Sequence, residues 1–223
     1  MSAPLASTRL TLTTADGVRL ESEVAMPSLT TPSGTPRAGA VLCHPHPQFG
    51  GNMRSLVVGE WFTALPTAGV ACVRFNFRGV EGSGGTFDDG EGERLDAEAA
   101  LAHVAGLLPP EAPLVIAGWS FGADVALATV EPRVSGWVAV APPGRYGPQP
   151  APASSDARPK LVVFGERDDL VDSRAGTDAV ATWAATRVEV VPGADHFFVG
   201  STSRIVELTL QLVESATSSG TAD

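Results

Sequence analysis

The sequence predicts an α/β protein: a mostly parallel sheet with helices on both faces and an antiparallel hairpin at its N-terminal edge. Three observations carry this. Short apolar runs such as GAVLCH (Gly39–His44), PLVIAG (Pro113–Gly118) and KLVVFG (Lys160–Gly165) have the composition of strands buried on both faces. Segments of helical periodicity alternate with them, the pattern of a parallel sheet with crossover helices. Ahead of the first such run, Leu10 and Leu12, then Val18 and Leu20, alternate on either side of Ala-Asp-Gly, which reads as a hairpin over Arg9–Pro27.

The elements follow in order. After the hairpin, SLTTPSGTPRA is a loop of turn residues, and Gly39–His44 is the first central strand. Asn52–Gly69 has helical periodicity, with Asn52 as its cap and Gly69 as its stop. Val70–Phe77 is a strand, followed by the glycine-rich RGVEGSGG; Glu91–Leu107 is an amphipathic helix that starts on acidic residues. The strand ending at Gly118 runs into the helix FGADVALATV, then the strand Val134–Pro142. A segment rich in Pro, Ala and Ser spans Pro143–Pro159 without helical periodicity. The strand Lys160–Gly165, the helix Arg174–Thr186, the strand Arg187–Val191 and the helix Arg204–Ser215 complete the pattern. The whole chain, 1–223, reads as one domain, with a disordered tail over about 216–223.

Composition narrows the function. With 43% hydrophobic residues the chain has material for a substantial core. A net charge of −10 disfavours nucleic acid as a partner, since that requires a clustered basic face, and disfavours an anionic membrane surface. No apolar run approaches the ~20 residues of a membrane span. MSAPLASTRL lacks the basic-then-apolar pattern of a secretory signal, so a cytoplasmic location is expected. Cys43 and Cys72 fall in strands at a spacing that fits no zinc or redox motif, and read as reduced core thiols.

Ligands of such sheets bind beyond the carboxyl ends of the strands, so the loops after Cys43, Phe77, Gly118, Gly165 and Val191 should converge. One of them carries Gly118-Trp119-Ser120-Phe121-Gly122. A serine on a sharp strand-to-helix turn is held proud of the sheet at a helix N-terminus, and the strand and helix pass so closely that the residues two positions away must be glycine. Such a serine needs a base, and the base needs a carboxylate to orient it. Of the four histidines, His103 sits inside a helix, whereas His196 directly follows the last strand. GERDDLVD offers the carboxylate; Asp168, three residues past Gly165, is preferred over Asp169, and Asp172 reads as a helix cap. The order Ser…Asp…His, with gaps of 48 and 28 residues, leaves room for the intervening helix–strand units.

An oxyanion hole needs two main-chain N–H groups. Phe121, just after the serine, supplies one. In CHPHPQFGGNM, Pro45 and Pro47 have no N–H and flank His46, which makes His46 the candidate for the other and Gln48 the alternative. His44 is expected to pack and hydrogen-bond beneath this loop. No carboxylate accompanies the two imidazoles locally, so no metal is expected, and the chemistry calls for no cofactor.

HPHPQFGGNM, RFNFRGVEGSGGTFD, GWSFGA, GERDDLVD and PGADHFF together resemble the α/β-hydrolase superfamily, in particular its small, cap-less bacterial serine hydrolases, which are distantly similar to dienelactone hydrolases. The resemblance runs from about Gly39 to Leu212. It implies an α/β-hydrolase fold, Ser120 as nucleophile, Asp168 as acid, His196 as base, and main-chain donors near His46 and at Phe121. Two positions depart from the pattern. Dienelactone hydrolases carry a cysteine nucleophile where this chain has serine, so the resemblance implies a mechanism and not that activity. RGVEGS has Glu81 where glycine is expected, which sets an acidic side chain at the pocket rim or in solvent.

The expected activity is hydrolysis of small or medium acyl esters, with a small-molecule ester as the partner and a monomer or homodimer as the assembly. With no helical cap after the strand Val134–Pro142, the site should be open and shallow, lined by Phe49, Trp119, Tyr146 and Phe197, with Phe121 a further candidate. Arg78 is expected to anchor the glycine-rich loop by ion pairing. The same three catalytic residues would also serve a biosynthetic tailoring enzyme that forms a lactone, transfers an acyl group or promotes a cyclisation. A non-enzymatic binding protein is disfavoured, because such proteins usually lose one of the three.

Overall fold

The computed structural model describes residues 7–27 and 35–219. Most of the loop expected between residues 28 and 38, and the end of the tail, 220–223, lie outside the described residues.

β1 (Ser7–Thr13) and β2 (Arg19–Ala25) form the expected hairpin, in register from Ser7–Ala25 to Thr13–Arg19. Gly17 takes φ +86° in the turn between them, a left-handed conformation that glycine adopts without steric cost. β2 then pairs antiparallel with β4 (Val70–Phe75). Every further neighbour is parallel: β3 (Ala38–Cys43), β5 (Leu114–Trp119), β6 (Val134–Val140), β7 (Lys160–Gly165) and β8 (Thr186–Val191). The sheet order is β1-β2-β4-β3-β5-β6-β7-β8. β3, β5 and β7 are buried along their whole length, as their apolar sequences require, with Lys160 buried at the start of β7, while the edge strand β8 is half exposed.

Helices α1 (Leu56–Ala64) and α5 (Thr202–Ser219) cover one face, where Trp61, Phe62, Ile205 and Leu208 join a common apolar cluster. Trp61 Nε1–H donates to Thr209 Oγ1 at 2.9 Å and ties the two helices together. α2 (Glu91–Ala105) and α3 (Phe121–Ala128) build the cluster on the opposite face, where α4 (Ser173–Val180) packs Gly176 against Phe164. Cys43 and Cys72 are buried free thiols, as expected. No helix among the described residues is long and apolar enough to cross a membrane.

Several helix boundaries differ from the sequence expectation. The first helix begins at Leu56 and not at Asn52, because the Asn52 side chain closes a local turn by accepting the Arg54 N–H at 2.8 Å. It also tightens at Leu65–Ala68 into a 3₁₀ turn, since Pro66 has no N–H to continue the α pattern. α4 stops at Val180 and not at Thr186: the Ala184 N–H donates to the Ser154 carbonyl at 2.9 Å, and Ala185, at φ +46°, turns the chain into β8. α5 runs to Ser219, so residues 216–219, expected in the tail, continue the helix. Between β6 and β7 the chain has only a 3₁₀ turn at Pro152–Ser155, and none of the described residues forms a cap over the sheet.

Candidate active site

Ser120 occupies the break between β5 and α3 with φ +54° and ψ −122°, a conformation that costs a non-glycine residue of order 1–3 kcal/mol. The surroundings enforce it. A Cβ at Gly122 would stand 2.5 Å from the carbonyl oxygens of both Cys43 and His44, and one at Gly118 would overlap the Gly122 carbonyl. The Ser120 N–H donates to the Val140 carbonyl at 2.8 Å, which pins the turn to the end of β6.

The loops after β7 and β8 meet this serine. The Ser120 hydroxyl lies 3.1 Å from His196 Nε2, and His196 Nδ1 lies 2.7 Å from Asp168 Oδ2. A carboxylate only accepts, so Nδ1 carries the proton and Nε2 is left as the acceptor of the serine hydroxyl. The other carboxylate oxygen of Asp168 accepts the N–H groups of Leu170 and Val171, both at 2.8 Å. Burial alone would push Asp168 up, but the His196 hydrogen bond and these two N–H groups outweigh it and hold the carboxyl below its ordinary value. Asp169, the alternative, is exposed. His196 is anchored from behind: its carbonyl accepts the indole N–H of Trp119 at 3.0 Å, so the residue before the serine positions the histidine. Asp172 caps α4 as expected, accepting the Ala175 N–H at 2.7 Å.

His44 and His46 differ sharply. His44 is fully buried; its Nδ1–H donates to the Pro45 carbonyl at 2.6 Å, and its Nε2 accepts the Phe77 N–H at 3.0 Å. Burial pushes its pKa down to about 4. Both ring nitrogens are therefore occupied in tying the loop after β3 to the chain after β4, as the sequence suggested. The His46 ring lies among Phe49, Phe87, Phe121 and Tyr146, with centroids 4.8–5.2 Å away. Its Nδ1 accepts the Gln48 N–H at 3.2 Å, which engages the alternative oxyanion donor. Among the described residues, the main-chain N–H groups of His46 and Phe121 have no acceptor in the chain.

A cavity of about 460 Å³ opens over Ser120 and His196. Phe49, Trp119, Tyr146 and Phe197 line it, as expected. Phe121 does not: its side chain is buried against Phe77, Phe87 and Tyr146, so only its backbone is available to the site. The rim is open and apolar, with Phe49 81%, Leu170 70% and Phe197 52% exposed.

One further residue shapes this cavity, and sequence reasoning missed it. Asp124, buried on α3, accepts the N–H groups of Gly144, Arg145 and Tyr146 at 3.0–3.1 Å. It thereby fixes the turn that places Arg145 and Tyr146 in the wall. Glu81 is absent from that wall. It adopts φ +46°, which explains why glycine is expected there, and its carboxylate accepts from Arg54 at 3.2 Å and Asn76 at 2.9 Å. Arg78 anchors the glycine-rich loop as expected, paired with buried Asp96 at 2.8 Å and with Asp16 at 3.0 Å.

Comparison with known proteins agrees with this fold. A family model described as Alpha/beta hydrolase domain matches residues 39–220. An uncharacterized protein of Rickettsia prowazekii (strain Madrid E) is 34% identical over 176 residues, covering 71% of each chain. The structure of an alpha-beta serine hydrolase homologue from Coxiella burnetii is similar at a TM-score of 0.78 and 31% identity, covering 96% of this chain and 99% of that one. An α/β serine hydrolase without lid from Xanthomonas campestris is similar at a TM-score of 0.81 and 31% identity, covering 96% and 97%.

Proposed function

The chain belongs to the alpha/beta hydrolase domain family, and from that premise we propose that it is a serine hydrolase of carboxylesterase type, acting on small or medium acyl esters. The observation that carries this reading is the hydrogen-bonded line from Ser120 through His196 to Asp168, at 3.1 and 2.7 Å, on a strained strand-to-helix turn.

In this reading Ser120 Oγ attacks the ester carbonyl carbon while its proton passes to His196 Nε2. Asp168 holds the imidazole by its Nδ1–H and stabilises the imidazolium that forms. The N–H groups of His46 and Phe121 bind the oxyanion. Collapse of the tetrahedral intermediate expels the alkoxide, which leaves as the alcohol with the proton from His196. Water then attacks the acyl-serine, gives a proton to the same histidine, and releases the acid and the free serine. Nucleophile, base and oxyanion donors are all protein groups, so the reaction needs no cofactor. The open rim suits an acyl chain that lies against Phe49, Trp119 and Phe197. A small-molecule ester is the substrate this reading requires.

The test is hydrolysis of p-nitrophenyl esters from acetate to octanoate, together with labelling by a fluorophosphonate, for wild type and Ser120→Ala. Turnover and labelling that both vanish in the variant support the reading. Labelling without turnover moves the assignment to an acyl-transferring or cyclising enzyme. Absence of both overturns it.

A further inference from the structure

The chain carries a net charge of −10, yet among the described residues lining the catalytic cavity there is no carboxylate and one permanent charge, that of Arg145. The Arg145 side chain is exposed and lies over the Tyr146 ring, its guanidinium carbon 5.1 Å from the centroid. Among the described residues no acidic side chain forms an ion pair with it. Its position is built and not incidental, because its own N–H and those of its two neighbours are held by buried Asp124. Arg145 also borders a second cavity of about 380 Å³, which shares Pro143, Leu170 and Val171 with the first. The carboxylates on that side, Asp124 and Asp172, are already occupied by main-chain N–H groups. His46 is lowered first by burial and next by the charge of Arg145, with Asp89 opposing them to a lesser extent.

We propose that Arg145 is a specificity-determining residue that selects esters bearing a carboxylate several bonds from the scissile carbonyl, with the apolar part of the substrate against Phe49, Trp119 and Phe197. A planar guanidinium offers a carboxylate two parallel N–H donors, and none of those donors is committed to an acid of the protein. This inference rests on the serine-hydrolase reading above and names its substrate class.

The experiment compares two matched pairs of esters: mono-p-nitrophenyl adipate with p-nitrophenyl hexanoate, and 4-acetoxybenzoate with methyl 4-acetoxybenzoate. The first pair puts the charge on the acyl side and the second on the leaving group. Wild type, Arg145→Ala and Arg145→Lys are assayed. For at least one anionic ester, kcat/KM is expected to fall about five- to tenfold in Arg145→Ala, with its neutral partner unchanged, the modest size reflecting solvent screening at an exposed site. Arg145→Lys is expected to recover part of the loss, and about 0.5 M salt to reduce the preference. Equal effects on both members of each pair, or none, overturn the inference. If wild type cleaves none of the four, the hydrolase reading falls, and binding decides the inference instead. Tryptophan fluorescence titrated with 4-phenylbutyrate and with 4-phenylbutyramide then upholds it if only the carboxylate binds and Arg145→Ala abolishes that, and overturns it otherwise.

Discussion

His44 gives the most quantitative expectation. It is fully buried, donates to the Pro45 carbonyl and accepts from the Phe77 N–H, so a second ring proton would meet a donor instead of an acceptor. Its pKa falls from the ordinary 6.5 to about 4 in the folded chain. At about 1.4 kcal/mol per pH unit, that corresponds to about 3 kcal/mol of folding free energy. The unfolded chain binds the proton first, so this stability is fully present above 6.5 and is lost as the pH falls from there towards 4. Between about pH 7 and about pH 5, roughly 2 kcal/mol of it should go. The perturbation is His44→Gln, which does not titrate and can still accept from Phe77. The assay is urea unfolding of both proteins at the two pH values, since the other titrating groups are common to both and cancel in the difference. At neutral pH the variant should be less stable by about 1–3 kcal/mol, the cost of stranding the Pro45 carbonyl. In acid that gap should shrink by about 2 kcal/mol. A gap that does not change with pH refutes the reasoning.

Asp168→Asn keeps an acceptor for Leu170 and Val171 but favours the wrong imidazole tautomer; kcat on an ester substrate is expected to drop by about 10⁴, with the urea midpoint nearly unchanged. Gly122→Ala pushes a methyl into the Cys43 and His44 carbonyls, and should either prevent soluble expression or abolish fluorophosphonate labelling; a folded, labelled variant would contradict the steric account. Arg78→Met leaves Asp96 buried without its cation and should destabilise by about 3–5 kcal/mol, part of which the double variant Arg78→Met/Asp96→Asn, which keeps an acceptor for the residue-78 N–H, recovers in thermal melts.

The architecture was legible because its demands are local. Apolar runs without polar alternation can only be strands covered twice, and the sheet has β3, β5 and β7 fully buried. Gly118 and Gly122 signalled a close approach of backbones, and the carbonyls they avoid belong to neighbouring chain segments. His196 and Asp168 were singled out by position, as residues that follow β8 and β7, and the structure brings His196 against Ser120 and Asp168 against His196. What sequence could not disclose depends on partners far along the chain. Asp124 looks like any acidic residue in the first turn of a helix, yet its three N–H donors lie 20 to 22 positions later. Glu81 could be recognised as standing where glycine is expected, but its tie to Arg54 spans 27 positions. The end of α4 is set by a carbonyl at Ser154, which no helical pattern in residues 174–186 could reveal.

The Asp124 carboxylate works as a socket into which a separate strip of chain is plugged. Ser120, Asp168 and His196 follow β5, β7 and β8, whereas the strip from Pro143 to Tyr146 follows β6 and contributes wall, with the Tyr146 ring also packed against His46 and Phe121. With an aromatic ring kept at position 146, the wall can be exchanged as a cassette while Ser120, His196 and Asp168 stay where they are. A donor loop for such a graft has to meet two backbone specifications: a left-handed residue where Gly144 now sits at φ +66°, and three successive inward N–H groups, so proline is barred from the positions held by Gly144, Arg145 and Tyr146. Libraries drawn under those rules would vary the chemistry seen by the substrate without retuning the machinery beneath it.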